Sequence, residues 1–448
     1  MKVINETPCK VTVLERSAED QPPVVIVKAS FNLIQNLPAQ LAEDCSDFSA
    51  DLPYQDDIGR SLAWSNDMER YKPNFDFLIL GSFFAPQGNA LPQSMVGFQF
   101  GPMEKKMRII GPRVAMVDAE GEWEVTPPAP LAELPLRWEF SAGGLDDPRN
   151  PFGMGMDAQP RPDNCPGALY TLPMIEGVDD PPWTPVRSVE PVNMAPEPVF
   201  FNSRQKKMGT IDRRWMLFRA PLPPVDFDPS SANAAPEGQQ AVGEPYGNEV
   251  MRFANMHPQH PIFAALLPEQ IPFVAVIPEG ATQAQAVALK LDTIVAQPDQ
   301  EKLTILWRAP LPEIENRDDI ELLVCEMWPV GGSRQQMADE FFTKVEKEKN
   351  EQLSHEKIAK DKINEQIKKN QEERIKSENE KNVAEELILK KNIDDILKDM
   401  EIPEDLKNTV RNASDTEGII GPLVEHVQEL KDALDRDYGH LYKPYLKD

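Results

Sequence analysis

The chain has 448 residues, 47 Lys plus Arg against 74 Asp plus Glu, and a formal net charge of −27. A charge this negative excludes nucleic acid or an anionic membrane as the main partner, because either needs a dense Lys/Arg surface. Four scattered cysteines (Cys9, Cys45, Cys165, Cys325) with no CxxC pair exclude a zinc ribbon and a disulfide-dense scaffold, and fit a reducing, cytoplasmic setting.

The opening MKVINETPCK lacks the apolar run of a signal peptide. Apolar runs such as FLILGSFFAP (77–86) fall short of the ~18–20 residues of a membrane span. Composition shifts near residue 332. Residues 1–332 hold 41 of the 44 prolines and a net charge of −20; residues 333–448 hold three prolines and a net of −7. Proline kinks or breaks the interior of a long helix, so the front part is expected to be strands, turns and loops.

VVIVKASFNL (24–33) alternates, with Val25, Val27, Ala29, Phe31 and Leu33 on one face and Lys28, Ser30 and Asn32 on the other, the period of a half-buried strand. FDFLILGSFF (75–84) reads as buried on both faces. VGFQF (96–100), KKMRII (105–110) and VAMV (114–117) follow, and Asp118-Ala119-Glu120-Gly121 turns into EWEVT. Later strands are expected at EPVFFN (197–202), RWMLFRAP (214–221) and PFVAVIP (272–278). A hairpin is expected around Gln297-Pro298-Asp299-Gln300, and IELLVCEMW (320–328) closes the set. The fold class is mainly β, sandwich-like or barrel-like, with Pro-rich loops and a helical C-terminal extension.

That extension divides into a long charged helix (333–402) and a short helical docking tail (403–448). Ser333 with Gln336 forms a capping-box signature. No Gly or Pro occurs from Ser333 to Ile402, and a helix of ~65 residues would reach on the order of 100 Å. Between Glu346 and Asn382 the only apolar residues are Leu353, Ile358, Ala359, Ile363, Ile367 and Ile375, a thin coiled-coil signal. Pro403 ends or bends this helix. A second helix is expected from Gly421-Pro422, with Leu423, Val427, Leu430 and Leu434 as an apolar docking stripe, for a partner or for self-association.

Chemistry is sparse. Gly153-Met154-Gly155-Met156-Asp157-Ala158 matches G-x-G-x-x-A, but prolines on both sides remove the strand and helix a dinucleotide site needs. His257 and His260 form H-P-Q-H without further ligand spacing, so no metal is implied. The carboxylates Asp56-Asp57, Asp146-Asp147, Asp179-Asp180, Asp226/Asp228 and Asp318-Asp319 read as solvation and turn chemistry. Cys9 and Cys165 have no basic neighbour to activate a thiol. The expectation is a chain with no catalytic, cofactor or metal site.

Gly, Pro and Asx residues instead recur beside single charges and Trp. The order KASF (28–31), WSNDMERYKPNFD (64–76), GSFFAPQG (81–88), IGPR (110–113), LRWEFSAGG (136–144), NPFGMG (150–155), MGTIDRRW (208–215), LPPVDFD (222–228), AAP (234–236), NMHP (255–258) and LLP (266–268) resembles the bacterial family called domain of unknown function twenty-one sixty-nine, over about residues 3–330. The family's usual aromatic before the double glycine is Ser141-Ala142 here, and the segment before Asn202 is altered.

The resemblance implies a type VI secretion accessory protein, an adaptor or chaperone that loads a PAAR-tipped effector onto the VgrG spike. It also implies a structural motif set of Lys28, Phe31, Asp67, Lys72, Pro73, Asp76, Gly81, Arg113, Trp138, Glu139, Gly143, Gly144, Asn150, Pro151, Gly153, Gly155, Gly209, Asp212, Trp215, Pro223 and Asp226. Of these, Asp67, Lys72, Asp76, Arg113, Trp138, Glu139 and Asp212 are expected mainly to hold the β body together, some as buried pairs. Two other readings stand beside it: a hydrolase using paired carboxylates on a β scaffold, and a structural component of a secretion or phage-tail-like particle.

Overall fold

The computed structural model describes the chain except residues 17–20, 164, 185–188, 244, 246–248, 282–283, 331–333, 400–401, 414–415 and 443–448. The Ser333 cap and the last six residues therefore lie outside the described residues. Two compact units are present, 1–345 and 346–448.

The first unit is β. A seven-stranded sheet carries the strands Phe75–Ile79, Lys290–Gln297, Lys302–Pro310, Val24–Asn32 and Lys10–Leu14 side by side, with short additions at Gln240–Ala241 and Gln40–Leu41. A five-stranded sheet is ordered Ile175–Gly177, Met103–Ile110, Gln93–Phe100, Val250–Ala254, Ile262–Leu266. A four-stranded sheet pairs Lys2–Asn5, Ile320–Pro329, Gln270–Pro278 and Gln285–Val287. None of these sheets closes into a barrel.

One core joins the inner faces. Val25, Val27, Ala29 and Phe31 lie in it with Phe77, Ile294 and Ile305, against Phe98, Phe100, Phe253 and Phe263 of the five-stranded sheet. The Phe77 ring stacks on Phe100 at 4.7 Å and tilts against Phe98 at 5.1 Å. The period-2 pattern places these residues on one face of their strands. The hairpin at 297–300 joins Lys290–Gln297 to Lys302–Pro310, antiparallel.

The other face of the large sheet differs from the half-buried expectation. Lys28 is 1% exposed, because parts of residues 47–74, around Asp47–Ser49 and Trp64–Lys72, cover this face as a strap. Lys28 Nζ pairs with Asp67 Oδ2 at 2.8 Å, donates to Asp47 O at 2.9 Å and lies over the Trp64 ring. Trp64 Nε1 and Ser49 N donate to the same Asp67 carboxylate. Arg308, from the adjacent strand, pairs with buried Asp292 and donates to Glu69 O and Asp67 O, both at 2.7 Å. Lys72 Nζ pairs with Asp76 Oδ2 and with Thr293 Oγ1, each at 2.9 Å. Pro73 supplies its carbonyl to Lys290 Nζ at 3.2 Å. The buried charges Lys28, Asp76, Asp292 and Arg308 each meet an opposite charge on the strap or a neighbouring strand, as desolvated charges require.

Two strand expectations fail. Residues 197–202 form a turn: Pro196 and Pro198 lack the ladder donor, and Phe201 leaves the backbone path to pack on Trp138. A helical turn α1 (Asn202–Gln205) follows. Residues 213–218 are α2 (Arg213–Phe218), because the Asp212 side chain accepts from Trp215 N at 2.7 Å and starts a helix.

The second unit is helical: α3 (Arg334–Asp399), which begins inside the first unit, α4 (Glu404–Arg411) and α5 (Thr416–Tyr442). Pro403 is the N-cap residue of α4. Helix α5 starts before the expected Gly421-Pro422, so Pro422 lies within it and forgoes one ladder bond. Ile358, Ile363 and Ile367 are exposed on α3, whereas Leu397 and Val410 are buried. Arg411 Nε reaches Asp394 Oδ1 at 3.0 Å. No described helix is long and apolar enough to cross a membrane.

Lys72→Met would leave Asp76 buried without its cation, a change of about 3–5 kcal/mol. Chemical unfolding of the full chain measures it. A loss below ~1 kcal/mol, the scale of an exposed pair, would show that the strap does not seal this face.

Candidate functional site

The motif residues fall into three groups in space. The first is the strap, with Lys28, Asp67, Lys72, Pro73 and Asp76; Phe31 is in the core beneath it. Gly81 sits against the hairpin tip, where an added Cβ would lie 3.1 Å from Asp299 Oδ1. Burial pushes that Asp299 carboxyl up to about 6.

The second group is a polar wall at the end of the five-stranded sheet. Arg108 and Arg113 share the buried Glu176 carboxylate. Trp138 is buried and its Nε1 donates to Ala195 O and Pro196 O. The Glu139 carboxylate accepts from Ser61 N at 2.9 Å and Ser61 Oγ at 2.6 Å. Buried Asn150 donates to Trp138 O and Ala142 O. Gly143 has φ +150 and its missing Cβ would lie 2.2 Å from Asn150 O, so only glycine fits. Gly144, Pro151, Gly153 and Gly155 continue this wall, and the residues after Gly155 form no helix. The G-x-G-x-x-A match is thus a packing device around Asn150.

The third group builds a projection, residues 206–228. Arg204, 3% exposed, fixes one root by donating to Ser231 O at 2.9 Å and to Glu197 O. Asp76 fixes the other, accepting from Asn233 Nδ2 at 2.8 Å and Ala234 N at 2.9 Å. Between the roots, Asp226 accepts from Thr210 N at 2.9 Å and Thr210 Oγ1 at 2.6 Å. Gly209 has φ +77, and a Cβ there would lie 2.8 Å from Pro224 Cβ. Asp212 caps α2, Trp215 Nε1 donates to Leu222 O at 2.8 Å, and Arg219 Nε donates to Pro223 O.

This polar frame turns apolar side chains outward. Met216 is 65% exposed, Leu217 62%, Phe218 83% and Val225 85%, with Ile211 and Leu222 also exposed. Contiguous exposed apolar surface on a folded chain marks an interaction site, and Met, Phe and Arg are the residues enriched in interface cores.

Beside the root lies a cleft of about 860 Å³ lined by Lys105, Arg149, Glu190, Glu197, Lys206 and Lys207, among others. Lys105 Nζ donates to Glu237 O at 3.0 Å and Gln239 Oε1 at 3.3 Å. Burial pushes the Lys105 ammonium down to about 8, with Glu197 and Glu237 pulling it back up. Burial pushes the Glu197 carboxyl up, partly offset by the Ser203 hydroxyl. The cleft can hold a charged or polar chain segment by ion pairing and hydrogen bonds.

His257 Nδ1 accepts from Gln259 N and His260 N, its ring stacks on Phe263, and Nε2 faces Glu301; the pair shapes a turn. Among the described residues no cluster of three or more His, Cys, Asp or Glu has metal-holding geometry. All four cysteines are free thiols; burial pushes Cys9 up and Cys325 up to about 12. On α5, Leu423 is half-buried, Val427 and Leu430 are exposed, and the Leu434 side chain lies outside the description.

Sequence reasoning missed Glu176, Asp292, Arg308 and Asn233, the partners that satisfy the motif charges, and the Lys105–Glu197 cleft. Asp292 and Arg308 carried a usable signal: a lone charge inside an apolar strand needs a buried partner.

Asp212→Ala removes the α2 cap, a change of about 0.5–2 kcal/mol, and Asp226→Ala releases Thr210. Both variants should keep the melting of the β body and become more susceptible to limited proteolysis within 209–228. Unchanged cleavage would show that these carboxylates do not hold the projection.

A family model described as "Uncharacterized protein conserved in bacteria (DUF2169)" matches residues 19–308, a narrower span than the motif order gave. The match includes the strap, the polar wall and the projection, and leaves out the helical unit. No curated protein and no solved structure matches the chain. By the extent of that match, about two thirds of its length, the chain belongs to this bacterial family of uncharacterised proteins.

Proposed function

We propose that the chain is a non-enzymatic adaptor or chaperone that binds a PAAR-tipped type VI secretion effector in the cytoplasm and helps load it onto the VgrG spike. Two separate supports carry the two halves of this reading. The binding half rests on the projection: Met216, Leu217 and Phe218 face solvent on a loop held by its own caps and by buried anchors at both roots. A chain that keeps such a loop in shape before its partner arrives loses less ordering entropy on binding. The secretion half rests on the resemblance of the motif order to the accessory family.

The motif residues, in this reading, act on the partner through shape. Asp76, Arg204, Asp212 and Asp226 hold the projection, and the polar wall holds the cleft beside it. Exposed Val427 and Leu430 of α5 offer a second place where VgrG or another copy could dock.

The test is co-purification of the full chain with the effector encoded beside it, for wild type and for Met216→Ser/Leu217→Ser/Phe218→Ser. Binding is expected to weaken at least ~100-fold, the scale of one or two interface hot spots, with unchanged melting. Full retention of the effector by the triple variant would contradict the reading. So would turnover of a glycan or peptide substrate that disappears on a single carboxylate substitution.

A further inference from the structure

We infer that the 206–228 projection takes an acidic, apolar polypeptide segment of its partner, with bulky side chains seated on Met216, Leu217 and Phe218 and carboxylates meeting the surrounding arginines. The inference rests on the adaptor reading and specifies the partner's chemistry.

The charge pattern carries it. The chain is strongly acidic at −27, yet residues 206–228 hold Lys206, Lys207, Arg213, Arg214 and Arg219 against only Asp212, Asp226 and Asp228. All three carboxylates are exposed and accept local hydrogen bonds, so the five cations outnumber them and the segment carries a net +2. Asp212 accepts from Trp215 N, Asp226 from Thr210, and Asp228 from Ser230 N at 2.8 Å. The cations remain at the surface: Lys206, Arg213, Arg214 and Arg219 are exposed and Lys207 is half-buried. Exposed cations beside an exposed apolar run, in an otherwise acidic chain, complement an apolar segment flanked by Asp or Glu.

An anionic bilayer fits less well. The rest of the chain would be repelled by its surface charge, and α2, at six residues, is far shorter than the amphipathic helices that lie in a bilayer interface. A guanidinium, with five planar donors, suits paired carboxylates.

A random linear-peptide library displayed on phage, panned against the full chain, provides the test. Peptides that pair large apolar residues with Asp or Glu should be enriched. Their affinity should fall about tenfold or more on Arg213→Glu/Arg214→Glu/Arg219→Glu and on Met216→Ser/Leu217→Ser/Phe218→Ser, the loss of ordinary interface contacts. Wild-type binding should weaken with added salt. Circular dichroism and melting confirm that both variants remain folded.

Binding lost only on the serine variant would overturn the acidic chemistry and leave the adaptor reading standing. Peptides indifferent to both variants would overturn both. No enrichment, or enrichment of basic peptides, would overturn the inference. It would equally fall if phosphatidylserine vesicles bind through the arginines, or if these substitutions abolish a concentration-dependent self-association.

Discussion

Asp76 is a fully buried carboxylate near one edge of the seven-stranded sheet, and much of the surrounding structure is arranged around satisfying it. Its two oxygens meet the Lys72 ammonium, the Asn233 amide and the Ala234 backbone N–H. Lys72 belongs to the strap, and Asn233 and Ala234 follow directly on the projection. One desolvated charge thus ties the strand Phe75–Ile79 to the segment that covers it and to the loop that leaves it. A charge in such a place is stable only when each lone pair has a partner, so the elements that supply those partners are held in register with the sheet.

The same logic extends along the face. Lys28, and Arg308 with Asp292, are placed by the strand alternation and then closed over by the strap, which supplies Asp67 to Lys28. The apolar face opposite builds the core, and the charged face fixes which loop lies where. Buried ion pairs of this kind contribute little net stability and much positional definition, which is what a fold needs when it must present a particular loop. The projection uses a local version of the device: its exposed carboxylates accept from backbone N–H groups and fix the loop, whose apolar and basic side chains face solvent.

Much of the β body was legible in the sequence. Val25, Val27, Ala29 and Phe31 alternate as a strand should, the 297–300 hairpin is where its turn residues put it, and the Pro/Gly-free run is helical. Lys28 misled because alternation reports which side a residue faces and says nothing of what covers that side. Arg213–Phe218 misled because Trp215, Met216, Leu217 and Phe218 have the bulk of a buried strand. The single Asp212 cap outweighed that propensity, and no local pattern distinguishes an apolar run presented to solvent from one in the core. The cleft was invisible because Lys105, Glu197 and Glu237 come from distant parts of the chain and meet only through the sheet order.

The central claim is that the projection is shaped before it binds and is the surface that binds. Hydrogen–deuterium exchange of the full chain, free and with a partner that co-purifies with it, tests this most directly. The amides of Thr210, Trp215, Met216 and Arg219, each already hydrogen-bonded, should exchange well below the rate of an unstructured peptide in the free chain and slow further in the complex. Exchange at the unstructured rate in the free chain, or no change there in the complex while another region becomes protected, would contradict the account.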